Sequence, residues 1–205
     1  MITKRGFIAG AASVATVAAT GSWRSSVSSS GAITAPSAAF DFVVFNDRYS
    51  DARAFAQTFV ARGTPALPVA GDAGTLWYGT LRQRLGAAPT RLVGLGTYMD
   101  FFILETLARD ANLTVRFRGQ HDCRGGHKVT HVLRADQDAS QVARALALSG
   151  LEWPLALAAA LPSDPGRTPR PSGARGSVTS ADVLVRTDVA RSPDHPGMLV
   201  SWVLT

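Results

Sequence analysis

FVVFNDRYSDARAFAQTFVARG, residues 42–63, decides the fold class. Phe42 to Phe45 is a short continuous apolar run, the pattern of a strand buried on both faces of a parallel sheet. Ala52, Phe55, Ala56, Phe59 and Val60 then recur at i, i+3, i+4, i+7 and i+8, which places them on one stripe of an α-helix. Ser50 reads as the N-cap of that helix and Gly63 as its stop.

The same alternation continues towards the C-terminus. A strand is expected around Leu67 to Ala70, then a helix from about Thr75 to Leu85 with Trp77, Leu81 and Leu85 stacked four residues apart. Arg91 to Leu95 reads as a strand, Tyr98 to Ala111 as a helix carrying Phe101, Leu104 and Ala108, and Leu113 to Phe117 as the start of a fourth strand. Strands and helices in this succession imply right-handed crossovers. The expectation is an α/β fold with an open, mainly parallel sheet, flavodoxin- or Rossmann-like, covered by helices on both faces. The simplest strand order is the one flavodoxin-like proteins use, reversing direction across the sheet after the second strand.

Beyond Phe117 the pattern changes. Arg116 and Arg118 alternate with Val115 and Phe117, so this strand has a charged face and belongs near the exposed end of the sheet. A Gly125-Gly126 turn leads into Val129 to Leu133, expected as an antiparallel hairpin. A helix from about Ala139 to Ser149 follows, then an apolar helical or irregular segment from Leu151 to Leu161 around Pro154. Residues 162–177 hold four prolines, three glycines and three arginines with no period, which reads as a surface loop. Asp182 to Val189 and Met198 to Leu204 are two β-rich runs, expected as a terminal hairpin. Residues 40–205 are therefore expected to form one domain, preceded by a Ser-, Ala- and Gly-rich leader at 20–39.

The first nineteen residues have a different character. Lys4 and Arg5 precede a mildly apolar run from Phe7 to Ala19, the layout of a secretory signal and too short to span a bilayer. Thr3-Lys4-Arg5-Gly6-Phe7-Ile8 resembles the twin-arginine (Tat) export signal, with Lys4 in the place of the first arginine. That resemblance implies a bacterial periplasmic protein that folds before crossing the membrane, carrying a cofactor or travelling with a partner that does. No transmembrane span is expected in the mature chain.

Composition narrows the choices further. The chain of 205 residues carries 21 Lys plus Arg against 15 Asp plus Glu, a formal charge of +6. The cations are scattered among acids rather than gathered in blocks, so no nucleic-acid footprint is visible. Cys123 is the single cysteine, which excludes an internal disulfide.

Candidate chemistry sits at the strand ends, where open parallel sheets bind ligands. Asn46, Asp47, Arg48 and Tyr49 follow the first strand, with Asp47 able to act as a base and Arg48 to pair with a carboxylate. Gly96 and Thr97 follow the third, where a helix N-terminus can hold a small anion, although Thr97 with Asp100 also fits a structural cap. His121, Cys123 and His127 form the densest set of metal-ligating side chains, with zinc or copper the fitting ions, and His131 lies nearby. The alternative is a polar hairpin in which Asp122 faces His127 and His131 packs between Val129 and Leu133.

No Gly-x-Ser-x-Gly elbow, P-loop, dinucleotide fingerprint or haem-attachment pair is present, so no cofactor is assigned. These readings converge on a non-catalytic accessory subunit or small-ligand binder, exported with a protein partner. Met198, Val200 and Trp202 share one face of the last strand and form either a docking patch or core. A small-molecule enzyme using Asp47, Arg48, Thr97 and His121 on an anionic substrate is the competing class, and metal handling a third.

Overall fold

The computed structural model describes residues 39–85, 90–123, 128–135, 139–161, 182–188 and 197–205. The signal-like segment, the leader up to residue 38, the Gly125-Gly126 turn, His127 and the 162–177 segment lie outside the described residues. The elements are β1 (Phe42–Phe45), α1 (Ser50–Val60), β2 (Ala66–Pro68), α2 (Ala73–Leu76), β3 (Leu92–Gly96), α4 (Tyr98–Asp110) and β4 (Val115–Asp122). A π-helical turn (Trp77–Leu81) joins α2 to α3 (Arg82–Arg84). Then come β5 (Lys128–Ala135), α5 (Ser140–Ser149), a 3₁₀ turn (Gly150–Glu152), α6 (Trp153–Ala160), β6 (Val183–Asp188) and β7 (Met198–Leu204).

The seven strands form one open sheet in the order β2-β1-β3-β7-β4-β5-β6. The β2-β1-β3 portion reverses direction after the second strand, and its two pairings are parallel. The other four pairings are antiparallel, so the expected mainly parallel sheet is corrected to a mixed one. The cause is β7, which inserts between β3 and β4 and runs against both.

The expected hairpin of the last two strands is also corrected: β6 pairs with β5 at the sheet edge, three places from β7. Burial explains the separation. Leu199 to Leu204 are buried on both faces, which suits a central strand, whereas β6 alternates half-buried Val183 and Val185 with exposed Leu184 and Arg186. The β4–β5 hairpin pairing is present as expected.

Two cores sandwich the sheet. On one side Val43, Val93, Leu95, Phe117, Leu133, Leu199 and Val203 belong to a cluster with Phe55 and Phe59 of α1, Leu146 of α5, and Trp153 and Leu157 of α6. On the other, Val44, Leu92, Val200, Trp202 and Leu204 meet Trp77, Leu81, Phe101 and Leu104. Beyond β7 this second core reaches only Val115 at the start of β4. Further along the same side, Thr130 and Val132 are only half-buried and Arg134, Leu184 and Arg186 are exposed.

Local signals place the helix ends. Tyr49, not Ser50, occupies the cap position of α1 and offers no side-chain cap bond. Gly63 adopts φ 86°, in the left-handed region, two residues into the turn that ends the helix. Ser140–Ala160, 21 residues, is long and apolar enough by composition to cross a membrane. Here it breaks at Gly150, φ 53°, into two helices that bury Val142, Leu146, Trp153 and Leu157 in the first core.

Candidate functional site

The strand-end rim brings Asn46, Gly96 and Thr97 together and joins them through Asp100. Asp100 Oδ2 accepts from Asn46 Nδ2, Thr97 N and Thr97 Oγ1, each at 2.8 Å. Thr97 Oγ1 in turn accepts from the Asp100 backbone N–H at 3.2 Å, completing a capping box on α4. Asn46 therefore ties the end of β1 to the start of α4 across the point where strand order reverses. Its Oδ1 accepts from the Arg48 backbone N–H, which shapes the turn after β1.

Gly96 is required here, since a Cβ would lie 2.9 Å from Asp100 Oδ2. An anion at this helix end would have to displace the Asp100 carboxylate from its three donors. Asp47 and Arg48 sit outside the network with exposed side chains, and the Asp47 carbonyl accepts from the Arg53 guanidinium. Tyr49 is half-buried and packs against the first core.

A second polar cluster lies inside that core. His121 on β4 stands opposite His131 on β5, and Gly119 stands opposite Ser201 on β7. His121 Nδ1 is 2.7 Å from His131 Nδ1, and His121 Nε2 is 2.8 Å from Ser201 Oγ. All three residues have 0% exposure. Trp153, at the start of α6, roofs both imidazoles with ring centroids 4.6 and 5.3 Å away. Gly119 makes the space: a Cβ there would fall 2.6 Å from Ser201 Oγ and 3.0 Å from His121 Nε2.

Tautomers follow from the donor count. A neutral imidazole has one N–H, so one Nδ1 donates to the other. If His121 donates, its Nε2 accepts from the Ser201 hydroxyl and His131 carries its hydrogen on Nε2. If His131 donates, His121 directs an Nε2–H at Ser201 Oγ and His131 Nε2 is bare. Either way His131 Nε2 is buried without a hydrogen-bond partner. Burial pushes His131 down to about 4, keeping it neutral near pH 7.

The connectivity Ser201–His121–His131 is that of a nucleophile, its base and an orienting group. Catalysis also needs a place for the reacting atom, and the Ser201 hydroxyl lies on a residue with 0% exposure while Trp153 covers its histidine neighbours. Of the metal-ligand set, His121 is committed to this network, Cys123 is buried in the same core, and His127 lies outside the described residues. Among the described residues no group of three or more His, Cys, Asp or Glu side chains is placed to hold a metal ion.

Comparison with protein-family models, curated proteins and solved structures finds no match. Any functional reading therefore rests on the residues themselves. Sequence reading placed His131 between Val129 and Leu133 but missed Ser201 as the partner of His121. Ser201 is the one hydroxyl in MLVSWVL, residues 198–204, and a polar residue within a strand buried on both faces is the available signal.

Proposed function

We propose that this chain is an exported, non-catalytic companion protein that docks a protein partner on the side of the sheet that α4 only partly covers. In this reading the fold is a flavodoxin- or Rossmann-like three-layer sheet with β7 spliced into it. The observation that carries the proposal is the unequal cover of that side. Among the described residues, helices pack over β1, β3 and β7, while beyond them Thr130 and Val132 of β5 are only half-buried and Arg134, Leu184 and Arg186 are exposed.

Large apolar groups are exposed on this same side: Tyr98, Met99 and Phe102 on α4 and Leu184 on β6. Tyr98 and Phe102 stack with centroids 6.3 Å apart, which restricts both rings before any partner arrives. Rigid aromatic groups of this kind make effective anchors in protein interfaces. Arg118, half-buried on β4 with its guanidinium over the Phe101 ring, and exposed Arg186 on β6 add cationic positions. The fitting partner is a protein surface with apolar side chains for Phe102 and Leu184 and carboxylates for the two arginines.

Export is supported by the Lys4-Arg5-Gly6-Phe7-Ile8 pattern, which delivers a folded chain to the periplasm. The absence of catalysis is supported by how the fold uses its chemistry: Asp100 serves a cap and Ser201 is fully buried. A small anion at Arg48 and Thr97 is the secondary ligand suggested by the rim.

The test combines fractionation with mapped crosslinking. A photo-reactive amino acid at Leu184 should capture one discrete partner in periplasmic extract, while the same group at Gln57 on the opposite side should not. Phe102→Ser with Arg186→Glu should remove the adduct while leaving the fold intact. Cytoplasmic retention of the wild-type chain, or an adduct unaffected by the double substitution, would overturn the reading.

A further inference from the structure

We propose that His121, His131 and Ser201 form an acid-operated latch, in which protonation of the histidine pair releases α6 from the sheet. The two Nδ1 atoms are only 2.7 Å apart. That contact exists only if one ring presents a lone pair. With both rings protonated, two N–H groups would face each other at this distance, so the doubly charged pair must separate.

The first proton is also poorly accommodated. From either tautomer it gives the same state, with hydrogen on both Nε2 atoms and one on the shared Nδ1 contact: the pair stays joined, but a positive charge is buried and the His131 Nε2–H has no acceptor. Among the described residues, the groups facing the pair supply no compensating charge. β4 contributes Gly119 and Cys123, β5 Val129 and Leu133, β6 Val185 and Thr187, and β7 Leu199 and Ser201. The Thr187 hydroxyl donates to the Leu146 carbonyl. From the helices come Leu146 of α5 and Trp153 and Leu157 of α6, with Phe55 and Phe59 of α1 in the same core. The charged side chains of the α5–α6 segment, Arg144 and Glu152, are exposed, as is Arg53 of α1, while Asp51 at its first turn is half-buried.

The element that yields is α6. Trp153 is its first residue and the roof over both rings, so separation of the imidazoles presses directly on its start. Gly150, at φ 53°, opens the 3₁₀ turn three residues before α6 and supplies a hinge that a residue with a side chain would adopt only under strain. The sheet beneath is tied by strand pairing on both sides of β4 and β7. Release of α6 would uncover Leu157, Ala158 and the sheet residues they protect.

Hydrogen exchange tests the latch on the full chain at pH 7 and pH 4.5, with intrinsic rates corrected for pH. Peptides covering 150–161 should lose at least tenfold in protection at the lower pH, while those covering β1 and β3 keep theirs. His131→Leu, which fills the site without a titrating group, should remove the pH difference in 150–161. Unchanged protection of 150–161 in the wild type, or simultaneous loss across β1 and β3, would overturn the proposal. If His131→Leu fails to fold, the imidazole resonances of the wild type decide. Titration of His121 or His131 in step with the exposure of 150–161 supports the latch, and exposure without such titration rejects it.

Discussion

His121 and His131 face each other directly across β4 and β5, with their Nδ1 atoms 2.7 Å apart. Because His121 also reaches Ser201, a single chain of polar contacts crosses β5, β4 and β7 inside an otherwise apolar layer. A slip of β7 by one residue would turn Ser201 to the other face and bring a neighbouring apolar side chain against His121 Nε2. The cluster therefore favours one register for the inserted strand, at the cost of leaving His131 Nε2 unpaired.

Ser201→Ala should destabilise the protein by about 1–3 kcal/mol, because it leaves the buried His121 Nε2 without its partner. Gly119→Ala should cost a similar amount, about 1–3 kcal/mol, by forcing a methyl group into the space Ser201 Oγ occupies. The two effects share one site. The double variant should therefore be less destabilised than the sum of the singles, by about 0.5 kcal/mol or more. Urea titrations of all four proteins measure this; strict additivity would show that the contacts are independent.

The depressed His131 value gives a pH dependence whose sign is fixed. Unfolded, this histidine takes up a proton near 6.5; folded, it does so only at about 4. The unfolded state thus binds more protons between these values, and stability falls as pH drops through that window. The full loss from this group is about 3 kcal/mol, reached near pH 4 and constant below it. Denaturant midpoints at pH 7, 5.5 and 4 should show the decline, and His131→Leu should flatten it. A wild-type curve level between 6.5 and 4 would contradict the burial of this ring as a neutral group.

Ser201 should resist a fluorophosphonate probe at neutral pH despite its histidine neighbour. Nucleophilic reaction needs access as well as a base, and the hydroxyl is fully covered. Intact-mass spectrometry after prolonged exposure should show unmodified protein. Labelling of the wild type that disappears in Ser201→Ala would instead restore the enzyme reading.

The parts legible in sequence were those governed by local pattern. Phe42 to Phe45 matched its strand, Tyr98–Asp110 its helix, and Thr97 with Asp100 its cap, because apolar period and cap chemistry act within a few residues. The place of β7 was not legible in the same way. MLVSWVL has the composition of a strand, but which neighbours it joins depends on pairings with β3 and β4, about 100 and 80 residues away in sequence. Met198, Val200 and Trp202 were consequently open to a docking reading by period two alone; Val200 and Trp202 are core. The His121–His131 contact needed the β4–β5 register, and Ser201 needed the insertion of β7.

At the rim, Asp100 and Arg48 should behave in opposite ways although they lie near the ends of adjacent strands. Asp100→Ala removes the acceptor of Asn46 and both Thr97 donors, and should cost about 1–3 kcal/mol. Arg48→Ala alters an exposed side chain and should stay within about 0.5 kcal/mol. Thermal or urea unfolding separates them. Near-equal effects would mean that the cap does not hold β1 to α4.

Gly94 and Trp202 offer the most direct check on the inserted strand. They are paired across β3 and β7, and a Cβ on Gly94 would lie 2.3 Å from the indole carbons of Trp202. That distance leaves no room for adjustment by a few tenths of an ångström, and the indole is enclosed by the core with Phe101 tilted against it. Gly94→Ala should therefore cost about 3 kcal/mol or more, at the upper end of overpacking effects. It should also change the near-ultraviolet circular dichroism of the tryptophan. Removing residues 198–205 should have a harsher outcome, because β3 and β4 would each lose the strand between them and much of both cores would go with it. A truncated chain that still unfolds cooperatively, or a Gly94→Ala protein as stable as the wild type, would place β7 somewhere other than the middle of the sheet.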